Sequence, residues 1–233
     1  RQYSGLKGGL TVTVSPGGGE NSLQIDVPLL VTLDSQRLHD LMINAPGATL
    51  VVPQGQQFVH FGSLSLDAAA ELDLNDNDLI IDSGSFLTVR SRVIEGFAGT
   101  SGITSSPNDG SQILALFDNS LVGKSEWNGE PVPAGAIIGK YTRFGDVNLD
   151  GQVTGDDYAV IDSNLNTEPV AGLAWLSGDA NLDGLVTGDD YTVIDSNLGL
   201  GAGNLFSRSA HLSAREERPT IAARLTPDRR FSR

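Results

Sequence analysis

The sequence contains no cysteine. That excludes a disulfide scaffold, a thiolate metal site and a cysteine nucleophile. Aromatic residues make up only 6% of it, and no run of about 18 apolar residues is long enough to span a bilayer as a helix. Cations are scarce: 15 Lys and Arg face 29 Asp and Glu, a formal net charge of −14. So acidic a body excludes free nucleic acid as an ordinary partner. The chain opens on Arg1, which reads as the start of a fragment or processed form whose targeting signal lies elsewhere. What is plentiful is glycine, 28 of 233 residues. Together with the low aromatic content this points to a turn-rich, mainly β architecture of one or two domains.

The charge is uneven. Residues 1–145 carry a net −7, residues 146–199 carry 11 acids with no Lys or Arg, and residues 207–233 carry 7 Arg against 3 acids. A 54-residue stretch with no cation of its own repels itself on folding unless a bound cation offsets it. Its recurring Leu, Val, Ile and Tyr argue against disorder.

That stretch contains a repeat at an offset of 33 residues. Residues 145–166 read GDVNLDGQVTGDDYAVIDSNLN and residues 178–199 read GDANLDGLVTGDDYTVIDSNLG, identical at 18 of 22 positions. Each copy places oxygen-bearing residues at positions 1, 3, 5, 9 and 12 of a loop, the spacing of an EF-hand calcium loop. In the first copy the candidate ligands are Asp146, Asn148, Asp150, the carbonyl of Gln152, Thr154 and Asp157, with Gly151 at the sharp turn. In the second they are Asp179, Asn181, Asp183, the carbonyl of Leu185, Thr187 and Asp190, with Gly184 at the turn. Thr154 and Thr187 read equally as water-mediated ligands or as helix N-caps. An ion-free Asx turn is the alternative for one such match; two near-identical matches favour two Ca²⁺ ions, which would reduce the local charge from −11 to −7. After each loop, Tyr158, Ile161 and Leu165, and again Tyr191, Ile194 and Leu198, lie at helical spacing. Two short helices packed antiparallel about a pseudo-two-fold are expected, with Leu173 and Trp175 closing their core.

A tandem of calcium loop plus one following helix resembles a type I dockerin module. The segments GDVNLDGQVTGDDYAVI and GDANLDGLVTGDDYTVI carry the likeness, over about 55 of 233 residues. The resemblance implies calcium ligation at the residues named above, docking onto a cohesin-like domain, and a secreted, extracellular or cell-surface setting often associated with polysaccharide degradation. In the family, loop positions 10 and 11 and a mid-helix pair, often basic, contact cohesin. Here they are Gly155, Asp156, Asp162 and Ser163, repeated as Gly188, Asp189, Asp195 and Ser196.

Upstream, residues 10–92 read as short strands: LTVTV, SLQIDV, LLVTL, LMINA, ATLVV, FVHF, SLSLD, ELDLN and DLIID. Such strands, separated by Pro, Gly and Asn turns, suggest a β-solenoid or a sandwich-like body, with the solenoid preferred. Residues 93–144 read as a β and loop connector, and residues 200–233 as a linker and an Arg-rich, disordered tail. The whole arrangement resembles the C-terminal part of large secreted proteins of planctomycete-type bacteria. Asp73, Asp76 and Asp78 are read as a solvated acidic turn. His39 and His60 are read as strand-surface residues. No pair among Glu71, Glu95, Glu126 and Glu130 stands out as glycosidase carboxylates, and no motif frames a nucleophile. The chain is therefore expected to be a non-catalytic, calcium-dependent attachment module. The alternatives are a non-catalytic part of a carbohydrate-active (O-glycosyl hydrolase) enzyme, or a structural surface β-protein stabilised by calcium.

Overall fold

Runs rich in Leu, Ile and Val, broken by Gly, Pro and Asn turns, form strands that step alternately between two sheets. The structure, a computed structural model, describes residues 10–13, 21–34, 36–99 and 101–201. In the first sheet β1 (Leu10–Thr13), β3 (Leu30–Asp34), β5 (Thr49–Val51), β7 (Glu71–Asp73) and β9 (Gly102–Thr104) pair in that order, all parallel. In the second, β2 (Ser22–Ile25), β4 (Arg37–Ile43), β6 (Phe58–Leu66) and β8 (Asp78–Ser83) are also parallel. β13 (Ile137–Arg143) pairs antiparallel with β8, and β10 (Gln112–Asp118) antiparallel with β13.

Parallel registry stacks like on like. Val31, Leu50, Leu72 and Ile103 are successive partners across the first sheet, and Leu38, Phe61 and Ile81 across the second. All seven are buried in one apolar cluster, a core that residues of one strand alone would be too few to make.

Three elements depart from expectation. FVHF and SLSLD are one strand, β6, running through Gly62; a Cβ there would stand 2.4 Å from the His39 carbonyl oxygen, so glycine lets the neighbouring strand approach. Helix α1 (Phe86–Ala98), read as β and loop, is started by Ser85, whose hydroxyl accepts from the Thr88 amide. Residues 93–144 do more than connect: they complete both sheets through β9, β10 and β13, and add α2 (Asn119–Val122) and a hairpin of β11 (Glu126–Trp127) and β12 (Glu130–Pro131).

The acidic repeat forms α3 (Gly155–Asn164) and α4 (Asp190–Asn197), joined through two 3₁₀ turns, Ala171–Leu173 and Trp175–Ser177. Val153, Ile161, Val186 and Ile194 make its small core, flanked by Tyr158 and Tyr191. The expected helix stripe is corrected at one end. Leu165 and Leu198 are exposed, at 40% and 55%, because each sits past the last helical residue with ψ near 130°; Val153 and Val186, inside the loops, take the core places instead. Trp175 is corrected too. It is buried, but in the cluster shared with the β body rather than between α3 and α4.

Candidate metal centre

The two loops meet about a pseudo-two-fold. Tyr158 donates its hydroxyl to Asp195 and Tyr191 donates to Asp162; the two rings stack with centroids 6.0 Å apart. Gly145, before the first loop, has φ +103°, and a Cβ there would lie 3.3 Å from Ile194 Cα of α4. Gly178, before the second, has φ +102°, and a Cβ would lie 3.1 Å from Ile161 Cα of α3. Only glycine meets both demands at once, conformation and contact.

Within each loop the first and twelfth residues are fully buried: Asp146, Asp157, Asp179 and Asp190 all show 0% exposure. Asp157 accepts from the amides of Val147 (2.9 Å) and Asn148 (3.2 Å) through Oδ1, and from Thr154 N (2.9 Å) through Oδ2. Asp190 repeats this with Ala180 (2.8 Å), Asn181 (3.0 Å) and Thr187 (2.8 Å). The closing carboxylate thus pins the start of its loop to the start of its helix. Asp146 takes the Asp150 amide (3.0 Å), the Gly151 amide (2.9 Å) and the Thr142 hydroxyl of β13. Asp179 takes the Gly184 amide at 3.1 Å through Oδ2, while its Oδ1 is buried with no partner.

The remaining candidates lie nearer the surface. Asn148 and Asn181 accept from the amides of Asp150 and Asp183 at 2.8 and 2.9 Å. Asp150 and Asp183 are exposed and accept from the Gln152 and Leu185 amides, 2.8 Å each. Leu185 is 43% exposed, as suits a position whose contribution is a carbonyl. Thr154 is the N-cap of α3; its hydroxyl donates to Asp156, and that of Thr187 to Asp189. Gly151 and Gly184 turn at φ +95° and +94°. Among the described residues, no three His, Asp or Glu side chains converge on one point, since Asp150 and Asp183 face amides of their own loops.

The donors nevertheless suit calcium. They are all oxygen, the choice of a hard cation, and no Lys or Arg lies within the stretch. Burial pushes the carboxyls of Asp146, Asp157 and Asp179 above the usual range, because a charge in a dry site is costly without a counter-ion. Asp179 Oδ1 is an acceptor without a donor, the position a cation would satisfy.

Other candidates resolve as structure. Asp73 and Asp78 are buried, not solvated: Asp73 accepts from the Asn75 and Ser106 amides, both 2.9 Å, and Asp78 from Tyr141 N, Trp127 Nε1 and Asn128 Nδ2 at 2.8–2.9 Å. Each ties a turn to a different strand. His60 is also corrected, being 1% exposed and bonded through Nε2 to Asp82 (2.6 Å) and through Nδ1 to Glu130 (2.8 Å). Glu71 on β7 holds Thr49 of β5 and Thr104 of β9, while Glu95 holds Ser91 and Arg92 within its own helix. The Arg-rich tail, 207–233, lies outside the described residues.

Comparison with known proteins agrees with this geometry. Residues 144–199 match the family model of the dockerin type I domain, and this segment is a type I dockerin domain. Domains of this family bind calcium and dock onto cohesin domains. No curated protein and no solved structure matches the chain.

Proposed function

We propose that residues 144–199 attach this chain to a cohesin-like protein domain, and that two Ca²⁺ ions are required for the attachment. The observation that carries the proposal is the duplicated loop with four fully buried carboxylates and no cation in its own sequence. Calcium would supply the missing positive charge there. The chain's own residues do the rest. Asp157 and Asp190 fix the entry of α3 and α4, Val153, Ile161, Val186 and Ile194 pack the helices, and the paired tyrosines tie one helix to the other. Asp156, Asp162, Asp189 and Asp195 are exposed at matching places of the two repeats, so the surface of the domain is acidic. The partner surface should therefore be basic, by charge complementarity.

The β body is proposed to be cargo or scaffold without catalytic residues of its own, in a secreted or cell-surface protein. Parallel strands β1 to β9 that alternate between two sheets, with like residues stacked in register, support reading it as the terminal rungs of a β-solenoid. Calorimetric titration of the full chain with calcium, followed by pull-down against a panel of cohesin domains in calcium and in chelator, tests the attachment. Two ions and calcium-dependent capture are expected. Fewer than two ions, or capture unchanged by chelator, would sink it.

A further inference from the structure

The β body brings two cations of its own to the acidic stretch. Lys140 on β13 donates its ammonium to the Leu149 carbonyl, and Arg90 on α1 donates Nη2 to the Leu182 carbonyl at 2.8 Å. Leu149 and Leu182 hold the same place, position 4, in the two loops. Both are strained. Their φ angles are +62° and +66°, a left-handed conformation that a leucine adopts only when its surroundings impose it. Two cations from two different elements thus clamp the equivalent strained residue of each loop. Arg90 also stands 3.8 Å from the buried carboxylate of Asp179.

The seam between loops and body is apolar as well. Trp175 donates Nε1 to the Asp146 carbonyl at 2.8 Å and packs edge-on against Phe144, which in turn stacks on Phe97 of α1 at 5.2 Å. Val147, Trp175 and Ala180, all from the dockerin domain, belong to the same buried cluster as Val93, Leu114 and Leu116 of the body. Gly172 admits Asp118 so closely that a Cβ would stand 2.6 Å from the Asp118 Cβ. A cavity of about 20 Å³ remains in the seam, room for about one water.

We propose that Arg90 and Lys140 are positioning residues for the two calcium loops, and that the loops and the β body open as a single unit, so that calcium bound in the loops stabilises the sheet. This rests on the calcium reading above. A ligand that binds only the closed state stabilises every group released by the same opening.

The test is hydrogen exchange of the full chain, in calcium alone and in chelator, beside calorimetry of the same sample. With free calcium at about 100 times the dissociation constant, each site makes exchange through the shared opening about 100-fold slower, and the two sites together about 10,000-fold. The Ile138 amide of β13, paired inside its sheet, is expected to slow to that extent together with residues 144–199. Calcium binding with slowing confined to 144–199 overturns the coupling and leaves the attachment reading standing; no calcium binding overturns both. Replacing both cations, Arg90→Ala with Lys140→Ala, should cut the effect at Ile138 about 100-fold, the order of two lost charge-assisted hydrogen bonds. An undiminished effect removes the assignment to these side chains. Should the double variant not fold, the wild-type pattern decides the coupling, and Arg90→Ala and Lys140→Ala made singly, each expected to cut the effect about tenfold, decide the assignment.

Discussion

Asp190→Ala separates the structural work of the closing carboxylate from its work as a ligand. In the folded chain Asp190 is wholly buried and accepts three backbone amides, those of Ala180, Asn181 and Thr187, at 2.8–3.0 Å. Hydrogen bonds to a charged group contribute about 1.5–3 kcal/mol each, and stranded buried donors cost about 1–3 kcal/mol. Against this, the substitution removes one buried charge and its repulsion of Asp179, which Asp190 helps to push up. A net loss of about 3 kcal/mol follows even in chelator. In a cooperative unit of about 190 residues that lowers Tm by roughly 6–12 °C. In calcium the variant also forfeits one site, a further ~2.7 kcal/mol when free calcium is about 100 times the dissociation constant. Asp190→Asn, which keeps an oxygen for the Ala180 and Asn181 amides but loses the charge and the acceptor for Thr187 N, should lose the ion while keeping more of the chelator stability than Asp190→Ala. Thermal unfolding in chelator and in calcium, with calorimetric stoichiometry, reads all three quantities. An Asp190→Ala protein with unchanged Tm in chelator would refute the claim that this carboxylate ties loop to helix.

Two further outcomes follow from the same geometry. Gly178→Ala places a methyl 3.0 Å from Ile161 Cγ1 at φ +102°, and should cost about 2–4 kcal/mol in thermal unfolding; Gly155→Ala, at the exposed start of α3 with nothing within 4 Å, should be neutral or stabilise by up to ~1 kcal/mol, and equal losses would contradict the account. The pH dependence comes from Asp146, Asp157 and Asp179, whose folded values are raised by burial. A raised carboxyl binds more protons folded than unfolded, so its contribution to stability in chelator falls as pH rises through the raised value. Calcium competes with those protons, so its affinity should rise with pH above about 4. Calorimetry across that range checks it, and a flat profile would show that the buried acids are not the ligands.

The two dockerin repeats were legible in the sequence because their signal is local: oxygen-bearing residues at fixed spacing, a turn glycine and a closing acid lie within twelve residues. The strands of the body were legible in place, through their Pro, Gly and Asn punctuation, though nine segments make eight strands because FVHF and SLSLD run on as one. What escaped was decided by neighbours distant in the chain. His60 reads as a strand-surface histidine until β8 and the β11–β12 hairpin bring Asp82 and Glu130 to its two nitrogens. Asp73 and Asp78 read as a wet turn until Ser106 and Tyr141 arrive 33 and 63 residues later. Helix α1 carries Arg and Ser between its apolar residues and follows eight strands, so its sequence reads as more β; Ser85 as N-cap is its local helix signal. Trp175 was recognised as a core residue but given the wrong core, since nothing in residues 145–199 shows that Phe144 and Phe97 stack beneath it.

The two loops, near-identical in sequence, are inequivalent once they meet the body. Asp146 already receives the Thr142 hydroxyl on Oδ2, the oxygen that also takes the Gly151 amide. Asp179 has no such neighbour: its Oδ1 has no partner, and the cation nearest its other oxygen is Arg90 at 3.8 Å. An ion at the first loop must share or displace a charge-assisted hydrogen bond, worth about 1.5–3 kcal/mol; an ion at the second meets a waiting acceptor beside a like charge. Matched loops in matched surroundings would bind with one intrinsic constant. Here two constants are expected, about tenfold apart. Calcium titration of Asp157→Asn and of Asp190→Asn isolates the second and the first site respectively. Thr142→Val, which frees Asp146 Oδ2 without altering either loop's sequence, should move only the constant that survives in Asp190→Asn. A wild-type titration fitted by a single constant, unmoved by Thr142→Val, would show that the body does not distinguish the two loops.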